Sequence, residues 1–246
     1  MPILEGKKVT KYFGGLAALY QVDFDINPGE VVGLIGPNGA GKTTLFNLIS
    51  GFLPITAGEI RYKGKKINGL NPNQICRQGV ARTFQSTKLF AGMTVFENVL
   101  AASLFGSKRT VSIPEAESET LELLEFVDLL SLRTMLAKDL PIAYQKRLEV
   151  ARALATKPDL LMLDEVMAGL NPVEVVEAMG LVAKIRDRGI TIFMIEHVMK
   201  AIMEVCDRII VLHHGNKIAE GKPEDVANSP KVIEIYLGEQ THARSQ

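Results

Sequence analysis

Apolar and polar positions follow two different periods along the 246 residues. Val22-Asp23-Phe24-Asp25-Ile26 alternates with a period of two before the turn Asn27-Pro28-Gly29, and residues 1–30 read as strand-rich. Val31-Val32-Gly33-Leu34-Ile35 is continuously apolar, as a strand covered on both faces requires, and Thr44-Leu45-Phe46-Asn47-Leu48-Ile49 continues as a helix ended by Gly51 and Pro54. Residues 58–67 read as a hairpin turning near Gly64, Asn73 to Gln78 as a helix stopped by Gly79, and Val80 to Gln85 as an extended segment.

The period then lengthens. Val95, Val99 and Ala102 mark a helix from Thr94 to Leu104, with Thr94 as N-cap and Glu97 three residues on. A polar, basic loop over 106–112 precedes an amphipathic helix from Glu115 to Leu130, acidic at its start. Residues 86–140 therefore read as a helical lobe inserted between two parts of an α/β core. Beyond it, Gln145 to Ala155 is a helix ended by Lys157-Pro158, and Leu160 to Leu163 is a buried strand running into Asp164-Glu165. Asn171 caps a helix that has Pro172 at its first position and runs to about Arg188. Ile190 to Ile195 is the next buried strand, followed by Glu196-His197. Arg208–Leu212 and Lys217–Ala219 form a hairpin turning at Gly215, and a C-terminal helix follows with Val232, Ile235 and Tyr236 on its buried face.

Composition narrows the function classes. Lys plus Arg and Asp plus Glu both number 28, so no bulk positive charge favours nucleic acid. Two cysteines without a CxxC pair point to a reducing compartment rather than a disulfide framework or metal site. The N-terminus lacks a secretory apolar core, and no stretch approaches 18 uninterrupted apolar residues, so any membrane role comes through a partner.

Gly36-Pro37-Asn38-Gly39-Ala40-Gly41-Lys42-Thr43 is a complete GxxxxGK[ST] sequence between a strand and a helix. Its glycines let successive amides turn inward around a polyphosphate, and the helix beginning near Gly41 adds its positive end. Lys42 is placed to reach the terminal phosphates, with the Thr43 hydroxyl on Mg²⁺. The bland alternative is a glycine-rich turn; the flanking strand and helix, with Thr44 opening the latter, favour a nucleotide. Asp164 and Glu165, after four apolar residues, suit a strand-end pair in which the first acid holds Mg²⁺ and the second polarises an attacking water. A solvated acidic pair is the competing reading. Tyr12 and Phe13 are either core aromatics or, for one of them, a stacking partner for an adenine ring.

At these residues the chain resembles the ATP-binding subunit of an ABC transporter over essentially its whole length. The resemblance runs through Phe13, the 36–43 loop, Gln85, Leu160–Glu165, Ala168-Gly169-Leu170-Asn171 and His197, in the family's order. It implies an α/β P-loop NTPase core with a mostly parallel sheet, an N-terminal antiparallel β subdomain and an inserted α-helical subdomain. The core is expected over 1–85 and 141–246, with 86–140 as the helical subdomain. It also implies ATP and Mg²⁺ as cofactors, Phe13 near the adenine, Gln85 on Mg²⁺ and the attacking water, and His197 on the γ-phosphate. Residues 168–171 would cross to a second ATPase subunit, either another copy or a related chain. The implied partners are transmembrane permease subunits and, indirectly, a periplasmic or extracellular substrate-binding protein, with the chain peripheral on the cytoplasmic face of the membrane. The stretches Leu163–Pro172, Glu196–Lys200 and Val232–Glu239 are similar to the branched-chain amino-acid importers of that family. Lipopolysaccharide and urea transporter ATPases share such features.

One departure is marked. Where the family carries Leu-Ser-Gly-Gly-Gln, this chain reads Leu140-Pro141-Ile142-Ala143-Tyr144. Proline has neither hydroxyl nor N–H, and isoleucine places a side chain where bare backbone was wanted. Three outcomes stay open at this point: weaker closure in a homodimer, an asymmetric pair with a related ATPase, or an ATP-gated regulatory module. A smaller departure is Val166, where the family usually has proline. A soluble repair or translation ATPase would need two such cassettes or a coiled-coil insertion, and neither is present.

Overall fold

The computed structural model describes residues 1–85, 88–106 and 111–235. The chain forms two compact units, Met1–Leu70 with Thr191–Gln246, and Asn71–Ile190.

In the first unit, β1 (Leu4–Phe13), β2 (Leu16–Ile26), β4 (Ala57–Tyr62) and β5 (Lys65–Lys66) form an antiparallel sheet in the order β2-β1-β4-β5. Of the remaining strands, three carry a continuous apolar run that is buried, while the last is largely polar and only half-buried. All five residues of β3 (Val31–Ile35) are buried, and it lies parallel between β8 (Thr191–Ile195) and β9 (Arg208–His213). β10 (Asn216–Gly221) pairs antiparallel with β9, completing the hairpin expected at Gly215. The ring of Phe193 on β8 lies 4.9 Å from Phe46 on α1 (Lys42–Ile49) and 6.3 Å from Phe24 on β2, so one aromatic cluster ties the first helix to both sheets.

Two helices of this unit were not among the elements expected from the sequence. α7 (Met199–Val205) starts from Val198 with no capping side chain, and α8 (Pro223–Ala227) is barely more than one turn. A Cβ on Gly33 would stand 2.9 Å from Cys206 Sγ, so bare backbone on β3 is what lets the end of α7 approach. Of the expected C-terminal helical face, Val232 is buried and Ile235 half-buried, while Tyr236 lies outside the described residues.

The second unit holds β6 (Val80–Arg82) parallel to β7 (Leu160–Asp164), with α2 (Pro72–Arg77), α3 (Val95–Gly106), α4 (Ile113–Phe126), α5 (Ile142–Ala155) and α6 (Pro172–Asp187). Capping explains most of the helix starts. Asn71 and Asn171 each form a reciprocal capping box, and Glu97 Oε2 accepts from the Thr94 amide at 2.7 Å. Several boundaries differ from expectation. α4 begins earlier because Ser112 caps it, and it stops at Phe126 rather than Leu130 because Asp128 adopts φ +60. α5 begins at Ile142, three residues before Gln145, since Pro141 enters a helix as readily as it interrupts one. The pairing of β6 ends at Arg82, short of Gln85. Residues 107–110 of the expected basic loop lie outside the described residues. Among the described residues no helix is long and apolar enough to cross a membrane.

Arg208, at the start of β9, binds the first unit together electrostatically. Its Nε and Nη2 donate to the two carboxylate oxygens of Glu30 at 2.7 and 2.9 Å, Nη2 also donates to the Asp25 carbonyl at 2.7 Å, and Nη1 pairs with Glu220. Burial opposes ionisation of Glu30, but the Arg208 bonds and the Asn27 amide outweigh it and hold the carboxyl below its ordinary value. A lowered folded-state pKa stabilises above the unfolded value and is lost as pH falls through the folded one. Arg208→Met should therefore lower the melting temperature at pH 7. That deficit should shrink as melts are repeated below about pH 4.3, the free glutamate value. A deficit constant with pH would show that packing, not this ion pair, sets it.

Candidate nucleotide site

The first unit carries the glycine loop between β3 and α1. Gly36 has φ +148, and a Cβ there would stand 2.1 Å from the Leu212 carbonyl oxygen. Gly41 has φ +105, and a Cβ there would meet the Ala18 carbonyl at 2.6 Å. Neither position admits a side chain, which is how the loop turns so tightly beside β9 and β2. The Gly215 amide donates to the Ala40 carbonyl at 3.0 Å, bracing the loop from the β9–β10 turn. Gly41 is the N-cap of α1 and offers no side chain to its first-turn amides. Pro37 and Ala40 are buried, Asn38, Gly39 and Thr43 exposed, and Thr44 half-buried.

Lys42 is buried, and its ammonium donates to the Gly36 and Pro37 carbonyls at 2.5 and 3.0 Å. The cation is thus held over the loop by oxygens it can exchange for phosphate oxygens. Phe13 ends β1 with 47% of its surface exposed and the Lys11 ammonium 5.1 Å from its ring. His197 is exposed two residues beyond β8, after the buried Glu196.

The second unit carries the acids. Asp164 ends β7, and its Oδ2 accepts from Arg82 Nη2 at 2.7 Å in a pair whose side chains are 2% and 5% exposed. Its amide donates to Thr83 Oγ1 at 3.1 Å, and the Thr83 amide donates to the Met162 carbonyl at 2.9 Å. Residues 82–83 therefore fix both the backbone and one oxygen of Asp164. The other oxygen, Oδ1, is buried without a hydrogen-bond partner among the described residues. A buried carboxylate oxygen left open in this way suits a hard cation or its bound water, so the donor set fits Mg²⁺.

Glu165 adopts φ +52, a left-handed conformation uncommon for a residue with a side chain. Its Oε2 accepts from Gln85 Nε2 at 2.8 Å. The structure thus brings Gln85 to Glu165 and Arg82 to Asp164 within one unit; the loop, Phe13 and His197 belong to the other. Sequence reasoning missed Arg82 and Lys146. The signal for Arg82 was its charge within an extended apolar segment three residues before Gln85. Lys146, 5% exposed with Nζ 3.1 Å from the Gln85 carbonyl, sits among ordinary helix formers and gave none. At the variant segment, Leu140 is buried, Ile142 and Tyr144 are exposed, and Pro141 is an N-cap that contributes no side-chain hydrogen bond.

A glycine loop joining a buried strand to a helix, with paired acids ending another buried strand, defines the P-loop nucleotide-binding class. The ABC transporter family profile matches residues 19–168, and that of the branched-chain amino acid ATP-binding cassette transporters matches residues 216–242. The chain therefore belongs to the ABC transporter family of ATP-binding cassettes, for which ATP hydrolysis is the family activity. It is 45% identical, over 97% of its length and 98% of the relative's, to the high-affinity branched-chain amino acid transport ATP-binding protein LivG of Escherichia coli. It is 43% identical, over the same shares, to BraF of Pseudomonas aeruginosa, which carries the same description. In structure it is similar to the ADP conformation of MJ1267, an ATP-binding cassette of an ABC transporter, with a TM-score of 0.87 and 35% identity. That similarity covers 97% of this chain and 99% of the other.

Breaking a buried ion pair leaves one charge uncompensated. Arg82→Met should cost about 3–5 kcal/mol in urea unfolding, and adding Asp164→Leu should recover most of it. A single variant as stable as the parent would show that the pair is dispensable to the fold.

Proposed function

We propose that this chain is the ATP-hydrolysing subunit of an importer of branched-chain or other hydrophobic amino acids. Near full-length similarity to LivG and BraF supports the solute class. The observation that carries the chemistry is the 2.8 Å bond between Gln85 and Glu165, which sets a strand-end carboxylate against an amide able to orient water. In this reading the backbone amides of residues 36–44, Pro37 aside, bind the phosphates, Lys42 turns from the Gly36 and Pro37 carbonyls to the terminal phosphates, and Phe13 stacks on the adenine. Thr43, Asp164 and Gln85 hold Mg²⁺, which when bound neutralises phosphate charge. Glu165 takes the proton of the attacking water, and His197 donates to the γ-phosphate.

The core spans 1–85 and 141–246, and residues 86–140 form the helical lobe that meets the membrane permease subunits. A second ATPase subunit, identical or related, completes the assembly on the cytoplasmic face of the membrane, and a substrate-binding protein delivers the amino acid from outside. ATP drives the cycle by binding the closed pair better than the open one. The capless entry of α5 at Pro141 favours one alternative, a regulatory cassette that binds ATP without turning it over.

Steady-state hydrolysis by the purified chain separates the two. Mg²⁺-dependent turnover that Glu165→Gln abolishes, with ATP affinity retained, is expected. Tight binding without turnover, unrelieved by a related ATPase subunit, would favour the regulatory cassette. Lys42→Ala should weaken ATP binding at least about tenfold, the loss expected when a charged phosphate contact is removed; unchanged affinity would remove the loop lysine from the site.

A further inference from the structure

α5 presents three charged side chains, Lys146, Glu149 and Arg152, at spacings that share one face of a helix. All three meet the main chain of one short stretch. Lys146 Nζ donates to the Gln85 carbonyl at 3.1 Å, the Lys88 amide donates to Glu149 Oε1 at 3.0 Å, and Arg152 donates to the Lys88 carbonyl. Lys146 goes further, since its ammonium lies 3.4 Å from the Glu165 carbonyl as well.

The contacts close a ring. The side chains of Gln85 and Glu165 are bonded to each other at 2.8 Å, and the main-chain carbonyls of the same two residues share one buried ammonium. An ammonium is costly to remove from water unless it gains oxygen partners of this kind. Glu165, at φ +52, holds a conformation that persists only where its surroundings impose it. A donor bridging its carbonyl to that of Gln85 is such an imposition.

We infer that Lys146 is a positioning residue for hydrolysis, fixing the main chains of Gln85 and Glu165 so that the two side chains stay in register. The inference rests on the catalytic reading of Glu165 above. It places the control of that pair on the helix that begins at Ile142, two residues beyond the buried Leu140.

The test uses the full chain with Lys146→Met, which keeps length without a donor, and Lys146→Arg, which keeps donors. Lys146→Met should lower kcat by about ten- to a hundredfold, as a small misplacement of catalytic groups does. KM and the affinity for a fluorescent ATP analogue should stay within about twofold, and Lys146→Arg should restore most of kcat. On a Gln85→Ala background the methionine should add little further loss, because the two act as one unit. Hydrogen exchange supplies a readout independent of turnover. Lys146→Met should speed exchange in the peptides carrying Gln85 and Glu165, while Leu160–Met162 and the strands of the first unit stay protected. A kcat within about twofold of the parent, equal losses in both variants, or faster exchange along the whole chain would overturn the inference. If the parent shows no turnover that Glu165→Gln stops, the catalytic reading falls. Exchange then decides the anchoring role: local acceleration sustains it, and unchanged exchange at both peptides removes it.

Discussion

The phosphate loop depends on one contact that a single methyl group would destroy. Gly36 leaves β3 against the Leu212 carbonyl of β9, and a Cβ there would sit 2.1 Å from that oxygen. Because β3 is buried between β8 and β9, the loop has no freedom to move away from its neighbour. Its return into α1 is fixed in turn, with Gly41 pressed on Ala18 and Ala40 tied to Gly215. The same parallel arrangement carries His197 off the end of β8. Strand ends thus present the chemistry of this unit, as they do in open α/β sheets generally.

The second unit reaches a comparable rigidity by other means. Bare backbone and close approach shape the loop, whereas buried charge shapes the acids. Arg82 fixes one oxygen of Asp164, Thr83 its amide, and Lys146 the carbonyls of Gln85 and Glu165. Burial pushes the Glu149 carboxyl up, and the Lys88 amide with the Lys146 and Arg152 charges pulls it partly back. The two devices fail differently: a glycine variant blocks a conformation, while a charge variant strands its former partner.

Much of this was legible along the chain because it is local. The eight-residue loop, the apolar run into Asp164-Glu165 and the caps at Asn171 and Thr94 are each readable within a few residues, and each element stands where its pattern put it. What escaped was non-local or unsignalled. Arg82 meets Asp164 across 82 residues of sequence, and Lys146 meets Gln85 across 61. No periodicity records such partners. α7 has no cap to announce it, and the left-handed turn at Asp128 cut α4 short without glycine to mark it. The entry of α5 was read three residues late, since a proline before a helix and one inside it look alike in a sequence.

That entry has a consequence for how this chain can vary through its descent. Pro141 lends no side chain to the head of α5, and its first helical bond runs from the Gln145 amide to the Pro141 carbonyl. The amides of residues 142–144 are present because a helix starts there, whichever side chains those residues bear. Backbone donors of this kind survive side-chain exchange at 142–144, proline aside, although a side chain as large as Ile142 limits how closely a partner can approach them. A conserved string of letters is a poor gauge of such a surface, which persists as long as the fold itself is inherited.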